Sequence, residues 1–135
     1  MIKRLTHVTI LVRDQDEALR WYTEKLGFEK RSDEIFGPVA RWLTVAPKGQ
    51  DIKVVLQKPD PALHGKQGAK KLVKHIGWGT TWVLSSTDCR KDRKVLRSRG
   101  VKFVSPPEDV PWGLEAVFED LYGNPFALVE LHHSF

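Results

Sequence analysis

Residues 6–12 alternate apolar and polar positions with β-branched enrichment, the period of a half-buried strand. His7, Thr9 and Leu11 share one face; Val8, Ile10 and Val12 share the other, more apolar one. Asp14 and Asp16 then offer N-cap chemistry, and a helix is predicted over 16–25. Its apolar stripe is Ala18, Leu19, Tyr22 and Leu26, and Gly27 supplies the stop. Strands follow at 28–32, 39–46 and 52–57, separated by turns at 36–38 and 47–50. Prolines 59 and 61 end the sheet pattern, and a short Lys-rich stretch beyond them has the length of one or two helical turns.

The order then repeats. A strand is predicted at 79–84, a cap at Ser86-Thr87-Asp88, a helix over 89–99, a stop at Gly100 and a strand at 101–104. Breaks at 105–107 and 111–113 precede strands at 114–119 and 125–131, joined by the turn Asp120-Leu121-Tyr122-Gly123-Asn124. Residues 1–60 and 75–132 thus read as two copies of a βαβββ unit. The copies are offset by 72 or 73: Gly27 matches Gly100, His7 matches Gly79 and Gln57 matches Glu130. Neither half can cover both sides of its small sheet, so the two are expected to pair around a common interior. The organisation is a single α+β domain spanning 1–135, with module one at 1–58, a connector at 59–77 and module two at 78–132.

At 135 residues, 41% hydrophobic and 29% charged, the composition is that of an ordinary globular chain. No apolar run reaches the roughly 18–20 residues that span a bilayer. Met1-Ile2-Lys3-Arg4 enters the first strand without a signal-peptide core, and the one cysteine, Cys89, excludes an internal disulfide. The expected location is the cytoplasm. The net charge of +5 gathers in Lys66, Lys70, Lys71 and Lys74 and again over residues 90–102. No stacking aromatics accompany these charges, so nucleic acid is not an expected partner. Attraction of an anionic small molecule fits the same charge.

The run Phe118-Glu-Asp120-Leu-Tyr-Gly123-Asn124-Pro-Phe-Ala-Leu-Val-Glu130 resembles the turn and final strand of the vicinal oxygen chelate superfamily. His7-Val-Thr-Ile-Leu-Val, Trp21-Tyr22 and Leu26-Gly27-Phe28 are similar to its opening signature. That superfamily includes glyoxalase I, extradiol dioxygenases and the fosfomycin- and bleomycin-resistance proteins. The resemblance implies two paired βαβββ modules forming a cup-shaped sheet around a cavity. It also implies four metal-ligand positions, which fall on His7, Gln57, Gly79 and Glu130. Glycine has no side chain, which leaves His7, Gln57 and Glu130 to hold Mn, Fe, Ni, Zn or Mg, or no metal at all.

Glu130 is also the candidate catalytic base, and a carboxylate there needs a partner such as a metal, His7, Arg41 or a ligand's cation. Only one histidine is in register, so extradiol chemistry, with its two histidines and one carboxylate, is not expected. Arg41, Trp42, Trp112, Phe118 and Tyr122 are the candidate substrate pocket, and Trp82 is read as core. His64 and His75 lie in the connector, and His132 and His133 in the tail, where solvation is the ordinary fate. Cys89 opens a helix without a positioned histidine, which argues against a catalytic thiol. Two readings stay open: a glyoxalase-like, metal-dependent lyase or isomerase, and a metal-free, bleomycin-resistance-like protein that binds a small molecule as a homodimer.

Overall fold

A computed structural model describes residues 1–38 and 40–132. Val39, read above as a strand start, and His133 lie outside the described residues. The chain divides into two compact units, residues 1–76 and 77–135.

In the first unit β1 (His7–Leu11) leads into α1 (Gln15–Glu24), followed by β2 (Glu29–Phe36), β3 (Ala40–Ala46) and β4 (Lys53–Gln57). Asp14 caps α1, its Oδ1 accepting from the Glu17 N–H at 2.8 Å. Gly27 follows the helix at φ 73°, a conformation that favours glycine. The strands order β1-β4-β3-β2, with β1 parallel to β4 and the other pairs antiparallel. The second strand runs on to Phe36 where a turn is predicted, with a register shift between Lys30 and Ser32. The connector holds α2 (Pro61–His64) and α3 (Lys66–Lys74), more helix than its short basic stretch suggests.

The second unit runs β5 (Trp82–Ser85), α4 (Cys89–Ser98), β6 (Lys102–Phe103), β7 (Glu108–Val110), β8 (Gly113–Glu119) and β9 (Pro125–Leu131). Its path β5-β9-β8-β6 repeats that of the first sheet, again with the first strand parallel to the last. The short β7, left unassigned between two breaks by the sequence pattern, pairs with β8 as β6 does. The architecture is α+β, with a four-stranded and a five-stranded sheet. No helix among the described residues is long and apolar enough to cross a membrane.

Helices α1 and α4 each cover one face of the sheet in their own unit. Arg41 reaches Asp16 of α1, so Arg41, Leu43 and Val45 mark the helix side of the first sheet. Ile10, Val54 and Leu56 share that side by register, and all are buried with Ala18, Trp21 and Tyr22 of α1. Burying each large aliphatic chain here contributes about 1.5–3 kcal/mol. In the second unit Arg93 of α4 sits over the Phe103 ring, 5.3 Å from its centroid. Phe103 meets Phe118 at 5.2 Å, and Phe118 stacks on Phe126 at 5.2 Å. Phe118, Phe126 and Leu128 are therefore core beneath α4, and Trp82, paired with Phe126, shares their side.

The registers also align the two copies. The Val12 N–H donates to the Gln57 carbonyl, and the Ser86 N–H donates to the Val129 carbonyl. Asp14 and Asp88 cap their helices alike. The copies are thus related by 74 at the first strand and cap, by 73 at Gly27 and Gly100, and by 72 at the last strand. The counterpart of His7 is Thr81 rather than Gly79, and that of Gln57 is Val129 rather than Glu130.

Candidate ligand site

The first sheet's other face carries His7, Thr9, Val55, Gln57, Trp42, Thr44, Ser32 and Glu34. Ser32 and Thr44 satisfy each other through hydroxyls 2.6 Å apart, so Thr44 is buried without cost. The His7 ring meets Trp42 edge-on, 5.2 Å between centroids at 62°. Because β4 lies between β1 and β3, the indole must lie back across β4 to make that contact. Val55 on β4 is only 4% exposed, while Trp42 stays 40% exposed. His7 Nδ1 lies 2.8 Å from Thr6 Oγ1, an exposed contact to the preceding residue.

A cavity of about 260 Å³ opens at the Trp42 end of this face. Phe36, Trp42, Val55 and Leu63 form its apolar walls, and Gln15, Arg41, Gln57, Lys58 and Asp60 its polar ones. The β3–β4 register, continued by two residues, sets Trp42 beside Gln57. Gln15 is already committed: its Nε2 donates to the Leu56 carbonyl at 2.9 Å and the Arg41 carbonyl at 3.3 Å, tying the start of α1 to the sheet. Among the described residues the Gln57 amide has no such partner, leaving a donor and an acceptor for an occupant.

Arg41 is committed too. Its Nε and Nη2 grip the two Asp33 oxygens at 2.8 Å each, and Nη1 reaches Asp16 at 2.8 Å. The hydrogen bonds from Arg41 hold the Asp33 carboxyl below its ordinary range, and Asp33, then Asp16, push the guanidinium still higher against the opposing effect of burial. A cation so clamped braces β2, β3 and α1. It is not held ready for an anionic substrate.

In the second unit the Cys89 N–H donates to Glu130 Oε1 at 2.8 Å. Glu130 therefore points to the helix side of its sheet and serves the N-terminus of α4, where a carboxylate is favoured. The buried Cys89 thiol faces the Leu128 carbonyl at 3.6 Å. Gln15 and Leu56 are the corresponding pair 74 and 72 residues earlier, so both helices open with a side chain bonded to the same carbonyl of the last strand. Burial, with the nearby Glu130 charge, pushes the Cys89 thiol above its ordinary value, as suits a structural role.

Residues 4–128 match the Glyoxalase/Bleomycin resistance protein/Dioxygenase superfamily. The chain belongs to that superfamily. The uncharacterized protein YetH of Bacillus subtilis (strain 168) is 33% identical over 130 residues, 96% of this chain and 100% of that one. The crystal structure of UcmS2 is similar at 43% identity and a TM-score of 0.86, over 96% of this chain and 99% of that one. TnmS3, an antibiotic binding protein from Streptomyces sp. CB03234, shares 31% identity at a TM-score of 0.78, over 96% and 97%.

Within this glyoxalase-superfamily chain the expected ligand positions are taken unit by unit. His7 pairs with Lys53 and Gln57 with Leu11, so four residues, or about 13 Å of strand, separate them. Gly79 precedes β5, outside any strand, with open space where a side chain would begin. Glu130 is engaged by α4. No group of three or more His, Cys, Asp or Glu among the described residues is placed to hold a metal ion. Within the first unit His7 and Gln57 do not converge, so that pair does not fit one shared metal ion.

Of the expected pocket residues, Arg41 and Trp42 line the cavity. Phe118 is inside the core, fully buried. Trp112 is 46% exposed in the second unit, its indole N–H 3.4 Å from Glu115. Tyr122 belongs to the turn in which Asp120 accepts from the Tyr122 and Asn124 N–H groups and from the Asn124 amide. Asn124 in turn accepts from the Gly77 N–H at 3.0 Å. The most specific stretch of the sequence is thus a hydrogen-bonded turn. Sequence reading missed Phe36, Leu63, Gln15 and Lys58; their only signal is that they flank strand ends where a pocket can open.

Proposed function

We propose that the protein binds a small molecule in the first unit's cavity, without a metal, and that binding is its activity. The observation that carries this reading is Trp42: a half-exposed indole, braced by His7, beside an amide with unspent hydrogen bonds. Apolar walls with a few oriented polar groups are the usual make-up of a ligand site. The antibiotic-binding neighbour, TnmS3, is consistent with it. A ring of one or two cycles would lie against Trp42 and Phe36 and exchange hydrogen bonds with Gln57. A metal-dependent lyase would instead need His7, Gln57 and Glu130 drawn onto one ion.

The test is calorimetric titration of chelator-stripped protein with 1-naphthylmethanol, a neutral probe of the right size. Saturable binding that Trp42→Ala weakens at least about tenfold, in keeping with loss of an aromatic contact and its buried area, is the expected result. Binding that is absent, or indifferent to Trp42→Ala, contradicts the reading.

A further inference from the structure

One wall of the cavity is built by α2. Leu63 of that helix and Asp60, its N-cap, both line the cavity. Leu63 is 49% exposed and α2 packs mainly on α3, so little burial fastens this wall. Four residues make about one helical turn, too short to stand by helical cooperativity. What closes the turn is a set of hydrogen bonds centred on Asp60. Its Oδ1 accepts from the Ala62 N–H at 2.8 Å, and its carbonyl accepts from the N–H groups of Leu63 at 3.1 Å and His64 at 2.8 Å. His64 completes the ring of bonds: its Nδ1 accepts from the Asp60 N–H at 3.1 Å.

That last bond exists only while Nδ1 carries no proton. A protonated Nδ1 is a donor, and it would face a second donor in the Asp60 N–H. The half-buried ring is open to solvent protons, because it lines a surface hollow with Gly68, Lys71, Leu72 and His75. The ionisable groups around it are Asp60 in its own turn, Lys71 on α3, and His75 at the end of α3, whose Nδ1 lies 2.8 Å from the Lys71 carbonyl. Imidazole is the side chain that gains its proton between about pH 8 and pH 5. Resting on the pocket reading above, we infer that His64 is a positioning residue for the cavity, holding the Leu63 wall as the neutral ring and releasing it as the imidazolium. The closed wall, and with it full ligand affinity, is present at neutral pH and lost as pH falls.

Calorimetric titration with 1-naphthylmethanol, which stays uncharged throughout, tests it at about pH 7.5 and about pH 5.5. Wild-type affinity should fall about three- to tenfold in acid, the worth of one hydrogen bond. His64→Asn sets a carbonyl oxygen where Nδ1 accepts and gains no proton, so it should bind at both pH values as the wild type does at the higher one. His64→Ala, with no acceptor, should bind weakly and equally at both. His7, which braces Trp42, is the other imidazole of the site, and acid sensitivity that survives in His64→Asn belongs to it. That result, equal wild-type affinity at the two pH values, or undiminished binding by His64→Ala overturns the role of His64 and leaves the pocket standing. No saturable binding by the wild type at either pH overturns the pocket and this inference together.

Discussion

His7 opens the first strand as a metal ligand would, but what it touches is Trp42. The ring supports an indole that must lie across β4, and only an aromatic edge fills that place. Removing it frees Trp42 to leave the face and exposes Val55. His7→Ala should therefore weaken 1-naphthylmethanol binding several-fold, while His7→Phe, which keeps an edge for the indole, restores most of it; edge-to-face pairs are worth about 0.5–1.5 kcal/mol. Near-ultraviolet circular dichroism would show the same rescue in the tryptophan bands. If His7→Phe is as weak as His7→Ala, the imidazole nitrogens matter and the bracing role is wrong. Candidate residues were legible singly: Trp42 and Arg41 do line the cavity. Their commitments were not, because Asp33 and Asp16 reach Arg41 from a neighbouring strand and from a helix 25 residues away in sequence.

At the scale of elements, helices and strands were read well because hydrophobic period and capping residues are local signals. The faces were read less well. Gly27 and Gly100 both follow helices at positive φ and fix an offset of 73, but the helix-to-glycine segment is one residue shorter in the second copy, as is the stretch from glycine to last strand. Strand side chains alternate with period two, so a one-residue slip carries a side chain to the opposite face. That slip put Glu130 in the place of Gln57, when the residue there is Val129. Glu130 instead serves α4 through the Cys89 N–H. Glu130→Ala should destabilise the protein by about 1–2 kcal/mol, because a backbone donor at a helix N-terminus loses a charged acceptor. Urea denaturation of metal-free protein measures it, with Glu130→Gln losing less. No change in midpoint would contradict the capping role.

For the whole molecule, the duplicated order of elements and the superfamily were readable because a repeated pattern over most of the chain adds many weak signals. Function was less readable, since net charge averages over a surface on which α3 and α4 are rich in basic residues, while Arg41, one of the two cations lining the cavity, is held by Asp33 and Asp16. The two copies have also diverged in use. The first keeps an open pocket lined by Trp42 and Phe36, and in the second the expected counterpart carboxylate is spent on structure. A site that works without a metal has no ion to lose. Thermal unfolding of chelator-stripped protein titrated with Mn, Fe, Ni, Zn and Mg tests it most directly, because a ligand that binds only the native state raises stability by mass action. No rise in Tm is expected with any of these ions, and affinity for 1-naphthylmethanol should be undiminished in chelator. A saturable rise in Tm with one of them, abolished by both His7→Ala and Glu130→Ala, would contradict it.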